Sequence, residues 1–74
     1  MKVTYDAGAD ALYIELAAGE SSATREVLEG VILDLDTEGK LLGIEILEAS
    51  SRYSPGDLAH FEVDVSAATL ATPS

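Results

Sequence analysis

Twelve consecutive residues, Asp34-Leu35-Asp36-Thr37-Glu38-Gly39-Lys40-Leu41-Leu42-Gly43-Ile44-Glu45, carry the strongest hint of chemistry in the chain. Acidic groups at positions one, three and five, glycine at six, an aliphatic residue at eight and glutamate at twelve have the spacing of an EF-hand calcium loop. That motif needs an amphipathic helix on each side to set its ligands around the ion. Here the flanks are Val31-Ile32-Leu33-Asp34-Leu35-Asp36 and Leu41-Leu42-Gly43-Ile44-Glu45-Ile46-Leu47, and both alternate with a period of two. Strands, not helices, must hold this stretch. Asp, Gly and small polar residues are also what a tight hairpin turn selects, so the same letters follow without any metal. What remains is an acidic outer sheet face bearing Asp34, Asp36 and Glu45, a candidate for weak cation attraction rather than a defined metal site. With Leu33 opposite Ile44, Asp34 and Glu45 are diagonal neighbours at about 7–8 Å.

Other reactive residue types are sparse and dispersed. His60 is the single imidazole, and no local motif brings it a nucleophile or a carboxylate. Its position at the end of a short helix suits a cation facing the helix dipole. Ser21-Ser22 and Ser50-Ser51 lie in loops without a G-x-S-x-G elbow, so turn formation and capping account for them. No catalytic residue and no cofactor are expected. Asp6 and Asp10 bracket the first turn, where carboxylates accept backbone N–H bonds. Tyr5, Tyr13 and Tyr53 fall on separate elements with few basic neighbours, which argues against a base-stacking platform.

With 74 residues, the chain bounds a single domain that buries a modest core. It has no cysteine and one histidine, so neither disulfides nor a thiolate or His-rich metal cage can reinforce the fold. Self-association is the remaining remedy, and a homo-oligomer of two or more copies is expected. A formal net charge of −10, with Lys2, Arg25, Lys40 and Arg52 scattered, disfavours nucleic acid and steers association toward a basic protein partner. No apolar run approaches the roughly 18 residues of a membrane span, and the first residues lack the apolar stretch of a signal peptide. A cytoplasmic protein is the expectation.

The elements that must position these residues follow from alternation and punctuation. Met1–Tyr5 is a β-favouring run, and Asp6–Asp10 supplies a turn. Residues 11–16 alternate, with Leu12, Ile14 and Leu16 on one side and Ala11, Tyr13 and Glu15 on the other. Residues 23–28 are a less regular strand candidate. For the two flanks of the acidic stretch, placing Leu35 opposite Leu42, Leu33 opposite Ile44 and Val31 opposite Ile46 keeps one apolar face, with the turn at Glu38-Gly39. Ser54-Pro55-Gly56-Asp57 is a helix start, with a capping serine, proline at the first helical position and an acid three residues on. This helix is expected to run to about His60. Phe61-Glu62-Val63-Asp64-Val65 then alternates as a candidate final strand. Residues 66–74 lack pattern and are read as a tail beyond a domain of residues 1–65.

The segments Thr4–Leu16 and Glu29–Ser50, with Tyr5-Asp6, Ala9-Asp10-Ala11-Leu12-Tyr13-Ile14, Gly30–Asp34 and Gly43–Leu47 in order, resemble family 2283 of the domains of unknown function, small and mainly prokaryotic proteins. The resemblance implies a compact β-rich fold, no agreed activity and no catalytic residues to carry over. For members found in gene pairs it implies partnership with a small toxin-like protein. The fold expected is therefore α+β, a small and mainly antiparallel β-sheet meander with one short C-terminal helix. Tyr13, Ile32, Leu41 and Leu47 are expected to form a second apolar patch on the outer face and to bind a partner. The leading functional expectation is a non-enzymatic interaction and oligomerisation module. The alternative is a small-ligand or cation-binding protein that uses the acidic face.

Overall fold

The computed structural model describes residues 1–66, so the tail expected over 66–74 lies, beyond Ser66, outside the described residues. Five strands form one antiparallel sheet: β1 Lys2–Asp6, β2 Ala11–Glu15, β3 Ala23–Leu28, β4 Val31–Leu35 and β5 Leu41–Leu47. Two four-residue helices follow, α1 Ala49–Arg52 and α2 Pro55–Leu58. The spatial order is β1-β2-β5-β4-β3. The α+β class and the antiparallel sheet are as the alternation implies. Neighbours in sequence are neighbours in space except once: the chain leaving β2 passes β5 and β4 to start β3 at the far edge. A β1-β2 hairpin is thereby joined to a β3-β4-β5 meander through the β2-β5 ladder alone.

Val31 opposite Ile46 and Leu33 opposite Ile44 are found as the apolar pattern requires, with Asp34 opposite Gly43. The ladder then slips, and Leu35 pairs with Leu41 instead of the expected Leu42. The turn is the cause. Asp36 N–H donates to the Lys40 carbonyl at 3.0 Å and Gly39 N–H to the Asp36 carbonyl at 3.1 Å, with Gly39 left-handed at φ 82°. These bonds close a loop of three residues, 37–39, where a loop of two was expected, and Leu42 becomes the extra residue of a bulge. The Asp36 carboxylate fixes this choice by accepting the N–H groups of Glu38 and Lys40, each at 2.8 Å.

Cross-strand partners define the two faces. On one, Val3, Ile14, Ile44 and Leu33 form a row, and Tyr5, Leu12, Ile46 and Val31 form the next. This aliphatic face spans β1 to β4, yet its residues are half-buried at best, and Tyr5 is exposed. Among the described residues, Leu42 at 3% exposure and Ala49 at 0% are the buried apolar side chains. Neither helix lies across the sheet as a second layer. The opposite face reads Thr4, Tyr13, Glu45, Ile32 and Glu26 in one row, and Lys2, Glu15, Gly43, Asp34 and Thr24 in the next.

Helix α2 begins as its sequence specifies. Asp57 N–H donates to Ser54 Oγ at 3.1 Å, and Ser54 N–H returns a bond to Asp57 Oδ2 at 3.4 Å. The Ala59 N–H makes the last i→i−4 bond, to the Pro55 carbonyl at 3.0 Å, and the His60 N–H turns instead to the Asp57 carbonyl at 3.3 Å, so the helix ends at Leu58 rather than His60. Helix α1 was not expected. Residues 61–65, expected as a final strand, take no regular secondary structure and do not join the sheet.

Candidate functional site

Gly43 organises the outer face. A Cβ built on it would lie 2.5 Å from Tyr13 Cζ, so the missing side chain leaves the slot in which the Tyr13 ring rests, on the neighbouring strand. An aromatic ring covering a strand glycine shields backbone that would otherwise be bare. Laid this way, Tyr13 Oη reaches Asp34 and donates to Oδ2 at 2.9 Å. Ser21 Oγ, from the loop that passes the end of β5, donates to Oδ1 of the same carboxylate. That loop approaches closely, since a Cβ at Gly19 would stand 2.8 Å from Leu42 Cδ2. Tyr13, Ser21, Thr24, Ile32, Asp34 and Glu45 together line a shallow hollow of about 210 Å³.

The hydrogen bond to Asp34, followed by partial burial, pushes the Tyr13 phenol above its usual range. The phenol is therefore a neutral donor at physiological pH. The hollow offers a fixed carboxylate whose two oxygens are already engaged, beside the freer Glu45 and the flank of Ile32.

The expected groupings are met in part. Tyr13 and Ile32 share this hollow, flanking Glu45. Leu47 lies on the same face but borders a separate hollow with Glu26, Glu29, Gly30, Glu48 and Arg52. Leu41 sits at the bulge, paired with Leu35, and does not join the patch. Of the three carboxylates read as a cation site, Asp34 and Glu45 meet here, whereas Asp36 is drawn into its own turn, where backbone N–H groups engage it. Among the described residues no group of three or more His, Asp or Glu is placed to hold a metal ion. The EF-hand-like stretch is a β-hairpin.

A second polar cluster ties the fold together. Asp10, left-handed at φ 51°, accepts from Tyr5 Oη at 2.7 Å and from Ser50 N–H at 3.0 Å through Oδ1, and from Ser50 Oγ at 2.7 Å through Oδ2. Its carbonyl accepts the Ala49 N–H at 3.0 Å. Bonds from the Ser50 hydroxyl, the Tyr5 phenol and the Ser50 N–H, in that order, lower the Asp10 carboxyl below its ordinary value. Asp6 plays the turn role its position suggests, accepting Gly8 N–H at 2.9 Å and Ala9 N–H at 3.2 Å. Arg52 performs the matching task at the same C-terminal end of β5, on its β4 side. Its Nε donates to the Leu47 carbonyl at 3.0 Å and its Nη2 to the Glu29 carbonyl, above the bare Cα of Gly30 at φ 78°. His60 pairs with Glu62 at 3.3 Å on an exposed surface. Sequence reasoning missed the roles of Gly43, Ser50 and Arg52, although a glycine inside an alternating strand is itself a signal of close approach.

Both the Gly43 slot and the Asp10–Ser50 tie fall within one region of sequence similarity. The family model described as a protein of unknown function, DUF2283, matches residues 2–50. The chain belongs to this family. The matched region covers all five strands and ends at Ser50, the residue that locks Asp10, so the family sequence corresponds to the sheet and its closing bond. No curated protein and no solved structure matched the chain. No helix among the described residues is long and apolar enough to cross a membrane.

Proposed function

We propose that this DUF2283 protein is a non-enzymatic interaction module of the cytoplasm that self-associates through its aliphatic sheet face and receives a basic protein partner on its acidic outer face. The observation that carries this reading is the aliphatic face itself. Val3, Leu12, Ile14, Val31, Leu33, Ile44 and Ile46 lie side by side across four strands, and among the described residues no second layer lies upon them. Two-layer packing is how an apolar sheet face is normally stabilised, and a second copy supplies the missing layer at a sheet spacing of about 10 Å. The outer face has the opposite character. Glu15, Glu26, Asp34 and Glu45 lie across it, and the net charge of −10 makes a cationic surface the complementary partner.

Light scattering from low to high micromolar protein tests the self-association. A mass that rises with concentration to that of a dimer is expected. Leu33→Glu, at a half-exposed position, should hold the protein at monomer mass while preserving its β-sheet circular dichroism. A wild-type monomer across the whole range would overturn the reading.

A further inference from the structure

Residues 61–65, Phe-Glu-Val-Asp-Val, form an arm with a strand's alternation in sequence, no regular secondary structure and no strand beside it among the described residues. Phe61, Val63 and Val65 are 56%, 62% and 43% exposed. Among the described residues β1 is an open edge, and an open edge presents unpaired N–H and C=O groups that accept another strand. We propose that the arm is an exchange strand that adds antiparallel to the β1 edge of a second copy, so that two copies trade arms. This rests on the self-association proposed above and specifies how it is built.

The two segments match residue by residue. With Val63 opposite Val3, Phe61 falls opposite Tyr5 and Val65 opposite Met1, all on the aliphatic face. Asp64 then falls opposite Lys2 and Glu62 opposite Thr4, on the polar face. An aromatic pair, a valine pair and an opposite-charge pair are the combinations that stabilise neighbouring strands. The same register would cover Met1, Tyr5, Phe61, Val63 and Val65, which are five of the eight large hydrophobic residues exposed among the described residues. The other open edge, β3, fits poorly. Arg25 lies on the aliphatic side there, and Glu26 would face the acids of the arm.

A receptor for the aromatic ring is also present. Tyr5, Ser50, Pro55, Leu58 and Ala59 line an apolar groove of about 300 Å³ with Tyr5 as its β1 wall. Phe61 of the same chain does not line it, although Ala59 is only two residues away. A ring arriving from a second copy, opposite Tyr5, meets the residue that forms the β1 wall of this groove. Reciprocal arms generate an isologous pair with two-fold symmetry, which closes and does not propagate into fibres.

The chain has no cysteine, so introduced thiols report the pairing directly. Full-length V3C and V63C are mixed in equal amounts and oxidised in air, alongside V3C mixed with F61C as the shifted control. The expected product is a mixed disulfide dimer, reversed by dithiothreitol and formed roughly ten-fold more than in the control, since a disulfide tolerates only a narrow Cβ separation. A V3C/V63C double variant that closes within one chain at dilute concentration would overturn the exchange by placing the arm on its own β1. Absence of the mixed disulfide from a protein that still dimerises by light scattering would overturn the exchange and leave the face-to-face reading standing. Monomer mass throughout, without the mixed disulfide, would overturn both.

Discussion

Replacing Gly43 with alanine offers the sharpest test of how the outer face is built. The new Cβ would stand 2.5 Å from Tyr13 Cζ and 3.0 Å from the Ile14 carbonyl oxygen. Carbon atoms pack best at about 3.5–4.0 Å, so the ring must retreat by about 1 Å. Such overpacking costs about 1–3 kcal/mol. The retreat also carries Tyr13 Oη away from Asp34, losing a 2.9 Å hydrogen bond whose net worth is about 1 kcal/mol. Against this, alanine is favoured over glycine in a strand by about 0.5–1 kcal/mol. The balance is a loss of about 2 kcal/mol, or roughly 8 °C or more in the melting temperature of a domain this small. Repeating the substitution in a Tyr13→Ala background removes the ring and leaves only the Ile14 contact against the glycine gain. There the cost should fall to within about 1 kcal/mol of zero. Thermal and urea melts of the four proteins, at one fixed concentration, measure the cycle. Equal costs of Gly43→Ala in both backgrounds would refute the claim that the glycine exists to seat the ring.

Four further outcomes are expected. The Asp10 carboxyl is lowered in the folded protein, so its stabilisation is complete above the unfolded carboxylate value and disappears as pH falls through the lower folded value. Acid titration of stability should therefore be flatter for Asp10→Asn than for wild type, and an unchanged profile would remove Asp10 from the account. The Tyr13 phenol is raised, so its contribution holds below the ordinary tyrosine value and is lost as pH climbs through the folded one. Ultraviolet titration should show two late-ionising tyrosines, because the bond to Asp10 raises Tyr5 as the bond to Asp34 raises Tyr13, and Tyr13→Phe should remove one of them. Asp36→Ala removes two 2.8 Å bonds that close the turn and should cost about 1–2 kcal/mol by urea denaturation. Adding millimolar calcium should leave the wild-type melt unmoved, because that carboxylate is committed to backbone.

Strand positions and most of the central register were legible because alternation of Val31, Leu33, Ile44 and Ile46 tolerates only one pairing. The bulge at Leu42 was not, since Leu41 and Leu42 are both apolar and the pattern is indifferent to which of them faces Leu35. The loop length that decides between them depends on the Asp36 carboxylate turning inward. Strand order was hidden for a related reason: β5 lies between β2 and β4, and nothing local in Leu41–Leu47 names its second neighbour. Helix α1 escaped because Ala49–Arg52 carries no capping pattern of its own and is held by Asp10, distant in sequence. On the outer face, Tyr13, Ile32, Asp34 and Glu45 could be grouped from side-chain alternation. Leu41 and Asp36 could not be excluded, because both owe their places to the turn.

The single ladder that joins the β1-β2 hairpin to the β3-β4-β5 meander has a kinetic consequence. Each unit can close through local contacts, and hairpins form in about 1–10 μs. Docking β2 on β5 must instead close the connection of residues 16–22 across a meander already formed, at an entropic cost that no local turn offsets. Assembly should therefore pass through a state in which the meander is formed and the first hairpin is loose. Amide exchange would show this as two protection classes, with β4 and β5 exchanging last. The Asp10–Ser50 bonds form only after docking, so disrupting them should chiefly accelerate unfolding and leave the folding rate nearly unchanged.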